Sequence, residues 1–402
     1  MNLLRRLVAR YLLLMAVAFA CPLAPAAGAA VTWTPQLDLT MRGERPPGEF
    51  TTAGDWIASF APQLTVAQPD AITWWEILGR RRYDSYARVS GPTPVTDLAS
   101  LKFSTSPNPN SELGLEASYL STRDPVALDP EVSLAYSESA IASGIARLDL
   151  WRIEGRYDIR ARSHESADLS DGLSQTWEAV AFPYRSPDTR GLVGWRGRDL
   201  AIDGARVMTT SAVTVGFRRR HFESLWSEFE AGAAETVDRG RGTRRSDLAL
   251  IAGATAERGT LRLPVDLRFR VARDVATTGF VEASLPASRS ELTARWENTL
   301  DAEGGIFSAP TLTRIATFGA RDTLAGQYAV RLDVSIGRTR DFEGSGPWLR
   351  TYRAWASLSR EVLPWLTARL DYSFLKQDAA PDASSSAFRR SRVGLTLTMG
   401  AR

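Results

Sequence analysis

Thr260-Leu-Arg-Leu-Pro-Val-Asp-Leu-Arg-Phe-Arg-Val271 decides the reading of the fold. Leu261, Leu263, Val265, Leu267, Phe269 and Val271 share one parity, and Arg262, Asp266, Arg268 and Arg270 share the other. Successive side chains of a strand point to opposite faces, so this run is a strand with one apolar and one charged face. The same alternation recurs along the chain. Trp33, Pro35, Leu37, Leu39 and Met41 stand against Thr34, Gln36, Asp38 and Thr40. Leu324, Tyr328, Val330, Leu332, Val334 and Ile336 stand against Gln327, Arg331, Asp333 and Ser335. Near the end, Val393, Leu395, Leu397 and Met399 alternate with Arg392, Gly394, Thr396 and Thr398.

The connections fall into two classes that alternate in order. Gln68-Pro-Asp70, Pro107-Asn-Pro-Asn110, Ser186-Pro-Asp-Thr189, Glu257-Arg-Gly259, Arg321-Asp-Thr323 and Leu363-Pro-Trp365 are short. Gly43 to Gly54, Ser85 to Thr96, Glu235 to Arg245, Asp301 to Ala309, Asp341 to Pro347 and Gln377 to Ser386 are long. Short periplasmic turns and long extracellular loops are the rule of up-and-down transmembrane barrels. A soluble sandwich or propeller would also alternate, but would bury its apolar face and show no such rule, and no repeat of fixed period is visible. The fold expected is therefore all-β, a transmembrane antiparallel barrel of about 18 strands, roughly 16 to 20, in residues 30–402. The uncertain stretch is Arg123 to Arg162, where Val132 to Tyr136 is either a short strand or part of a loop. Trp33, Trp56, Trp74, Trp177, Trp226, Trp348 and Trp365 fall at or near expected strand ends, as aromatic girdles at the two interfaces require.

The N-terminus reads as a secretory signal. Arg5, Arg6 and Arg10 precede the apolar Tyr11 to Ala20, and small residues follow, with cleavage expected at Ala27-Gly28-Ala29 or one residue on. About ten apolar residues are too few to span a bilayer. Cys21 is the chain's one cysteine; lipidation there is the alternative, but Ala18 and Pro22 flank it poorly. A single Cys also excludes a disulfide framework and any Cys-based zinc site. The 49 basic residues are Arg except Lys102 and Lys376, and 46 acids nearly balance them, which speaks against nucleic-acid binding.

If the apolar faces meet lipid, the polar faces line a lumen. Arg262, Asp266, Arg268, Arg270, Arg331, Asp333, Arg369 and Asp371 are the candidate lining residues, with Arg218, Arg295, Arg353 and Glu297 nearby. Guanidinium rows can take anionic or hydroxylated solutes through paired hydrogen bonds, or pair with the acids and stiffen the wall. No catalytic, cofactor or metal residue stands out. His164 and His221 are the two histidines, read as solvated residues of a loop and of a periplasmic turn, and neither G-x-S-x-G nor H-E-x-x-H occurs. An enzyme is not expected.

Several hairpins resemble those of a known family. Phe60-Ala-Pro-Gln-Leu-Thr-Val-Ala67 with Arg81-Arg-Tyr-Asp-Ser-Tyr86 looks like the opening hairpin of large barrels linked to exopolysaccharide loci. Leu101-Lys-Phe-Ser-Thr-Ser-Pro107, Leu113-Gly-Leu-Glu-Ala-Ser-Tyr119, Leu150-Trp-Arg-Ile-Glu-Gly155 and Arg392-Val-Gly-Leu-Thr-Leu-Thr398 are similar to later ones. The family is the myxobacterial Wzp type, outer-membrane barrels of Wzx/Wzy-dependent polysaccharide pathways. The resemblance implies polysaccharide export across a Gram-negative outer membrane, with a periplasmic polysaccharide export protein as partner. It supplies no site residue. The alternatives are a general diffusion porin or a structural barrel of an envelope or motility complex. The chain ends Met399-Gly-Ala-Arg402 rather than on an aromatic residue, so the barrel assembly machinery is expected to read a signal within Val393 to Met399.

Overall fold

The computed structural model describes residues 31–45, 55–69, 72–87, 95–108, 110–122, 135–148, 151–166, 169–183, 188–257, 265–302, 307–324, 327–342, 348–378 and 387–400. The signal segment and the cleavage site lie outside them. The first ten strands are β1 Thr32–Arg45, β2 Asp55–Gln68, β3 Thr73–Tyr86, β4 Val95–Asn108, β5 Ser111–Thr122, β6 Ala135–Leu148, β7 Trp151–His164, β8 Gly172–Phe182, β9 Thr189–Ile202 and β10 Ala205–Phe222. The second ten are β11 Leu225–Asp238, β12 Thr243–Ala256, β13 Asp266–Arg273, β14 Thr277–Pro286, β15 Ser290–Asp301, β16 Thr311–Leu324, β17 Tyr328–Asp341, β18 Leu349–Leu363, β19 Leu366–Gln377 and β20 Phe388–Gly400. Each pairs antiparallel with its neighbours in sequence, and β1 pairs β20 from Gln36↔Gly400 to Arg45↔Ser391, so the sheet closes on itself. Closure leaves no backbone edge to satisfy in hydrocarbon. No helix among the described residues is long and apolar enough to cross a membrane.

The described residues form twenty strands, two more than the expected 18 and at the top of the 16 to 20 range. The Arg123 to Arg162 stretch holds the whole of β6 and most of β7. β6 begins only at Ala135 and reads Ala-Tyr-Ser-Glu-Ser-Ala-Ile-Ala-Ser-Gly-Ile-Ala-Arg-Leu, too rich in small residues for its alternation to stand out. Glu235 to Arg245 is not a long loop. β11 and β12 continue to Asp238 and from Thr243, and Gly242 takes a positive φ of 65° in the tight turn between them. Arg321-Asp-Thr323 belongs to the end of β16, as does Leu324, which therefore lies across a turn from the strand it was grouped with. The loop rule holds for β1–β7 and β15–β20 and fails between. There β9 and β10 join through Asp203-Gly204 at the end that elsewhere carries the long loops, and β13 joins β14 there through residues 274–276. Trp177 lies mid-strand in β8 rather than at an interface, while the other six singled-out tryptophans do sit at or beside strand ends.

The outer face is apolar. Trp33, Met41, Val213, Val215, Leu248, Phe318, Ile336, Leu370, Val393 and Leu395 are exposed large hydrophobics, and all fall on the outward parity of their strands. The inner face is largely polar, and among the described residues three small apolar clusters are buried. One of these records a distortion of the wall. Leu200, Ile202 and Met208 have the lumenal parity of β9 and β10, set by exposed Val193, Trp195, Val213 and Val215. They pack against Leu300 and Leu312, which share the outward parity of Leu292, Trp296 and Phe318. An inner face can meet an outer face of the same sheet only where the wall laps over itself. The lap lies above β13 and β14, the two shortest strands, whose turn residues Val275 and Ala276 join the same cluster. The outward Leu300 meets the inward Leu200 and Met208, so the upper end of β15 is on the inner side of the lap.

A corner is built at β10–β11. Gly216 pairs with Glu230 and Gly232 with Thr214, so two glycines sit on diagonal positions of the inner face. A Cβ on Gly216 would fall on the Phe229 carbonyl oxygen, and one on Gly232 on the Val213 carbonyl oxygen. Only glycine lets the two backbones approach this closely, and such glycines are how a sheet bends sharply.

Candidate functional site in the lumen

The inner faces of β7 to β13 carry a chain of alternating guanidinium and carboxylate groups. Arg152 bonds Glu154 at 2.7 Å, and Glu154 lies 3.7 Å from Arg218. Arg218 reaches Glu228 at 2.7 Å, and Glu228 lies 3.4 Å from Arg270. Arg270 donates to Glu178 at 2.6 Å, and Glu178 also accepts from Arg196 at 2.8 Å. Arg196 then grips Glu230 with both terminal nitrogens, one at 2.8 Å, and Thr214 Oγ1 donates to the same carboxylate at 2.5 Å. Gly194 leaves room for this guanidinium, since a Cβ there would meet Arg196, Thr214 and Glu230.

The β8 to β13 contact sets the shape of the lumen. Glu178 and Arg270 are five strands apart around the wall, yet their side chains bond directly. The corner at Gly216 and Gly232 is what brings β8 and β13 within side-chain reach. Glu230, at the corner, is wholly buried, as is Thr214 beside it to within 1%. This part of the interior is thus a folded polar core rather than an open pore wall. Buried charges persist only when paired and hydrogen-bonded, and Glu154, Glu178, Glu228 and Glu230 each are.

Beside the chain lies a cavity of about 800 Å³. Arg152, Arg156, Arg190, Arg218, Arg268 and Arg270 line it, against Glu112, Glu154, Glu178 and Glu228. Trp226 and Phe280 add aromatic surface, and Arg190 stacks over Trp226 at 5.7 Å. The surplus is two positive charges. Arg268 is exposed to the cavity and has no hydrogen-bond or ion-pair partner among the described residues.

The sequence-predicted lining residues divide accordingly. Arg268 and Arg270 reach the cavity, and Asp266 starts the same strand on the same parity. Arg262 lies outside the described residues. Arg331 with Asp333, at 2.7 Å, and Arg369 with Asp371, at 2.8 Å, have the lumenal parity of β17 and β19 but line another part of the wall. Each is an ion pair between alternate residues of one strand. Arg196, Glu178, Glu228 and Glu230 were missed. A signal existed in β7, where Arg152, Glu154, Arg156, Asp158, Arg160 and Arg162 make one face entirely charged.

The histidines are elsewhere. His164 is not a solvated loop residue. It ends β7 with a fully buried side chain, its backbone N–H donates to Asp171 at 2.8 Å, and its ring lies 3.8 Å from the same carboxylate. His221 is exposed at the β10 end and shares a 2.7 Å hydrogen bond with Ser227. No cluster of metal-ligating residues occurs among the described residues.

No family model and no curated protein matches the chain. Among solved structures it is similar to OpdK of Pseudomonas aeruginosa with vanillate, at 10% identity over 92% of this chain and 99% of that one, TM-score 0.40. It is similar to the siderophore receptor PirA from Pseudomonas aeruginosa, at 9% identity over 91% and 80%, TM-score 0.44. The copper transporter OprC shows 8% identity over 91% and 80%, TM-score 0.46. These likenesses are distant. The closed sheet and its outward apolar band make the chain an outer-membrane β-barrel.

Proposed function

We propose that this barrel is a porin-like channel that passes small anionic solutes and performs no catalysis. The observation that carries the reading is the cavity with six arginines against four glutamates, in which Arg268 has no partner among the described residues. A guanidinium facing a hydrated cavity offers paired donors to a carboxylate or similar anion. Its volume suits a small molecule, within the range of about 300–1,000 Å³ usual for such sites. The side-chain chain from β8 to β13 occupies lumen that a hydrated polymer would need. That favours small solutes over the polysaccharide export implied by the Wzp-type resemblance.

The test is ion selectivity in planar bilayers. The wild-type barrel is expected to show a reversal potential on the anion side in a salt gradient, and Arg268→Glu to move it toward cations. A barrel without conductance removes the channel reading. An unchanged reversal potential in Arg268→Glu removes the cavity from the path. An in-frame deletion strain separates the polymer reading: it should keep its surface polysaccharide, and loss of polymer would restore export with a periplasmic export protein as partner.

A further inference from the structure

The outer face of β3 to β6 carries charge at a depth occupied by lipid tails. On β3, Arg81 follows the outward Ile77 and Gly79 and precedes the outward Tyr83. It bonds Asp97 of β4 through Nε and one terminal nitrogen, at 2.7 and 3.1 Å, and remains 55% exposed. Ser121 of β5 stands directly opposite Asp97, and Tyr119 is one outward step below it. Glu138 of β6 stands directly opposite Tyr119. Phe60, Tyr83 and Leu113 on the same face are exposed, so this is the outside of the wall. The lap lies elsewhere, on β9, β10, β15 and β16.

Depth follows from the register. Directly opposite partners climb toward the extracellular end with strand number. The row that starts at Trp33 of β1 passes Ala117 of β5 and reaches Asp199, close to the extracellular end of β9. A strand spacing of about 4.8 Å and a tilt of about 40° make the climb about 3 Å per strand and each outward step along a strand about 5 Å of height. Tyr83 is opposite Phe60, and Trp56 lies two outward steps beyond Phe60 at the extracellular end of β2. Arg81 is therefore about 12 Å below the level of Trp56, and Glu138 about 4 Å above Arg81. Both stand inside the apolar band, where a charge on the lipid face destabilises a barrel according to its depth.

We propose that a second copy of this chain docks on this face, about a twofold axis along the membrane normal between β4 and β5. Such an axis keeps every residue at its height and exchanges β3 with β6 and β4 with β5. Arg81 of each copy then meets Glu138 of the other, and Asp97 of each meets the Tyr119 hydroxyl of the other. Every polar group of the patch faces its complement, guanidinium to carboxylate and phenol O–H to carboxylate. Arg81 uses two of its five N–H donors on Asp97, so the same guanidinium can take a second carboxylate. The shape agrees with the charges. Two convex walls touch along a line and part toward the edges of the contact. Ala99 and Ala117 lie just below the charges on the two central strands, while the long Arg81 and Glu138 side chains stand on the outer two, where the gap is wider.

The experiment uses the whole barrel, first in isolated outer membranes and then in detergent. Ala99→Cys, treated with a short bismaleimide in the membrane, is expected to give a cross-linked dimer, and native mass spectrometry of the wild type a dimer mass. Glu138→Arg should weaken self-association about tenfold or more, because like charges then face each other at both contacts. Arg81→Glu should do the same. Mixed in equal amounts, the two variants are expected to form a heterodimer close to the wild-type level, since each contact again holds one guanidinium and one carboxylate. A wild type that is monomeric in both settings overturns the proposal, as does a heterodimer no more abundant than either variant alone. A dimer that survives both charge reversals and falls apart on delipidation makes lipid the occupant of the face and also overturns it. If Arg81→Glu does not fold beside Asp97, Arg81→Ser replaces it. Its mixture with Glu138→Arg should still associate more than Glu138→Arg alone, and equal association overturns the proposal.

Discussion

Replacing Arg196 with alanine is expected to cost about 3–5 kcal/mol of barrel stability, the range for breaking a buried ion pair from one side. Glu230 is wholly buried, and Arg196 supplies both hydrogen-bond donors of its charged partner. After the substitution the carboxylate keeps only the Thr214 hydroxyl. Glu178 loses one of its two guanidiniums but retains Arg270, so most of the penalty falls on Glu230. The double variant Arg196→Met/Glu230→Leu should recover most of the loss, because a pair replaced by apolar side chains of similar volume leaves no stranded charge. Urea unfolding in lipid vesicles, followed by the gel-mobility difference between folded and unfolded barrel, reads both. A single variant within about 1 kcal/mol of wild type would mean that water reaches Glu230 and that the corner is not a polar core.

Gly232→Val is expected to prevent assembly of the barrel altogether. The added Cβ lands on the Val213 carbonyl oxygen of the neighbouring strand, a backbone atom that cannot rotate away. Overpacking against side chains costs about 1–3 kcal/mol, and a clash with paired backbone exceeds that because the ladder itself must open. Gly79→Val is the control. A Cβ on Gly79 meets nothing within 4 Å, so this variant should reach the membrane normally. The folded fraction in isolated outer membranes, measured for both, separates the specific requirement at the corner from a general intolerance of valine. Normal assembly of Gly232→Val would show that the wall is not sharply bent there.

The barrel was legible in the sequence because lipid imposes its pattern on every strand. Each outward position must be apolar, and the alternation of Trp33 to Met41 or Val393 to Met399 states that without help from neighbours. Strand number was less legible where small residues replace large ones, as in β6, since Ala and Ser suit either face. Loop lengths misled between β9 and β14, where the wall laps and three connections at the long-loop end shrink to tight turns. The lumen was legible only as parity. Arg268 and Arg270 were placed on the correct face, but nothing local says that Arg270 meets a glutamate 92 positions earlier. That contact depends on a bend set by two glycines on other strands, and a bend leaves no periodic trace.

The seam between β1 and β20 has a consequence for how the chain reaches this state. Thr40 shares a 3.0 Å hydrogen bond with Thr396, and Thr398 donates to Asp38 at 2.6 Å, across sequence separations of 356 and 360 residues. Contacts this remote carry the largest loop-closure cost and form last, which makes folding slow. Until β20 arrives, β1 and β19 are both bare template strands, the two open edges of a nineteen-strand sheet with an apolar outer face. The half-life of that open sheet, rather than the stability of the closed one, then governs how much protein is lost to aggregation on the way to the membrane.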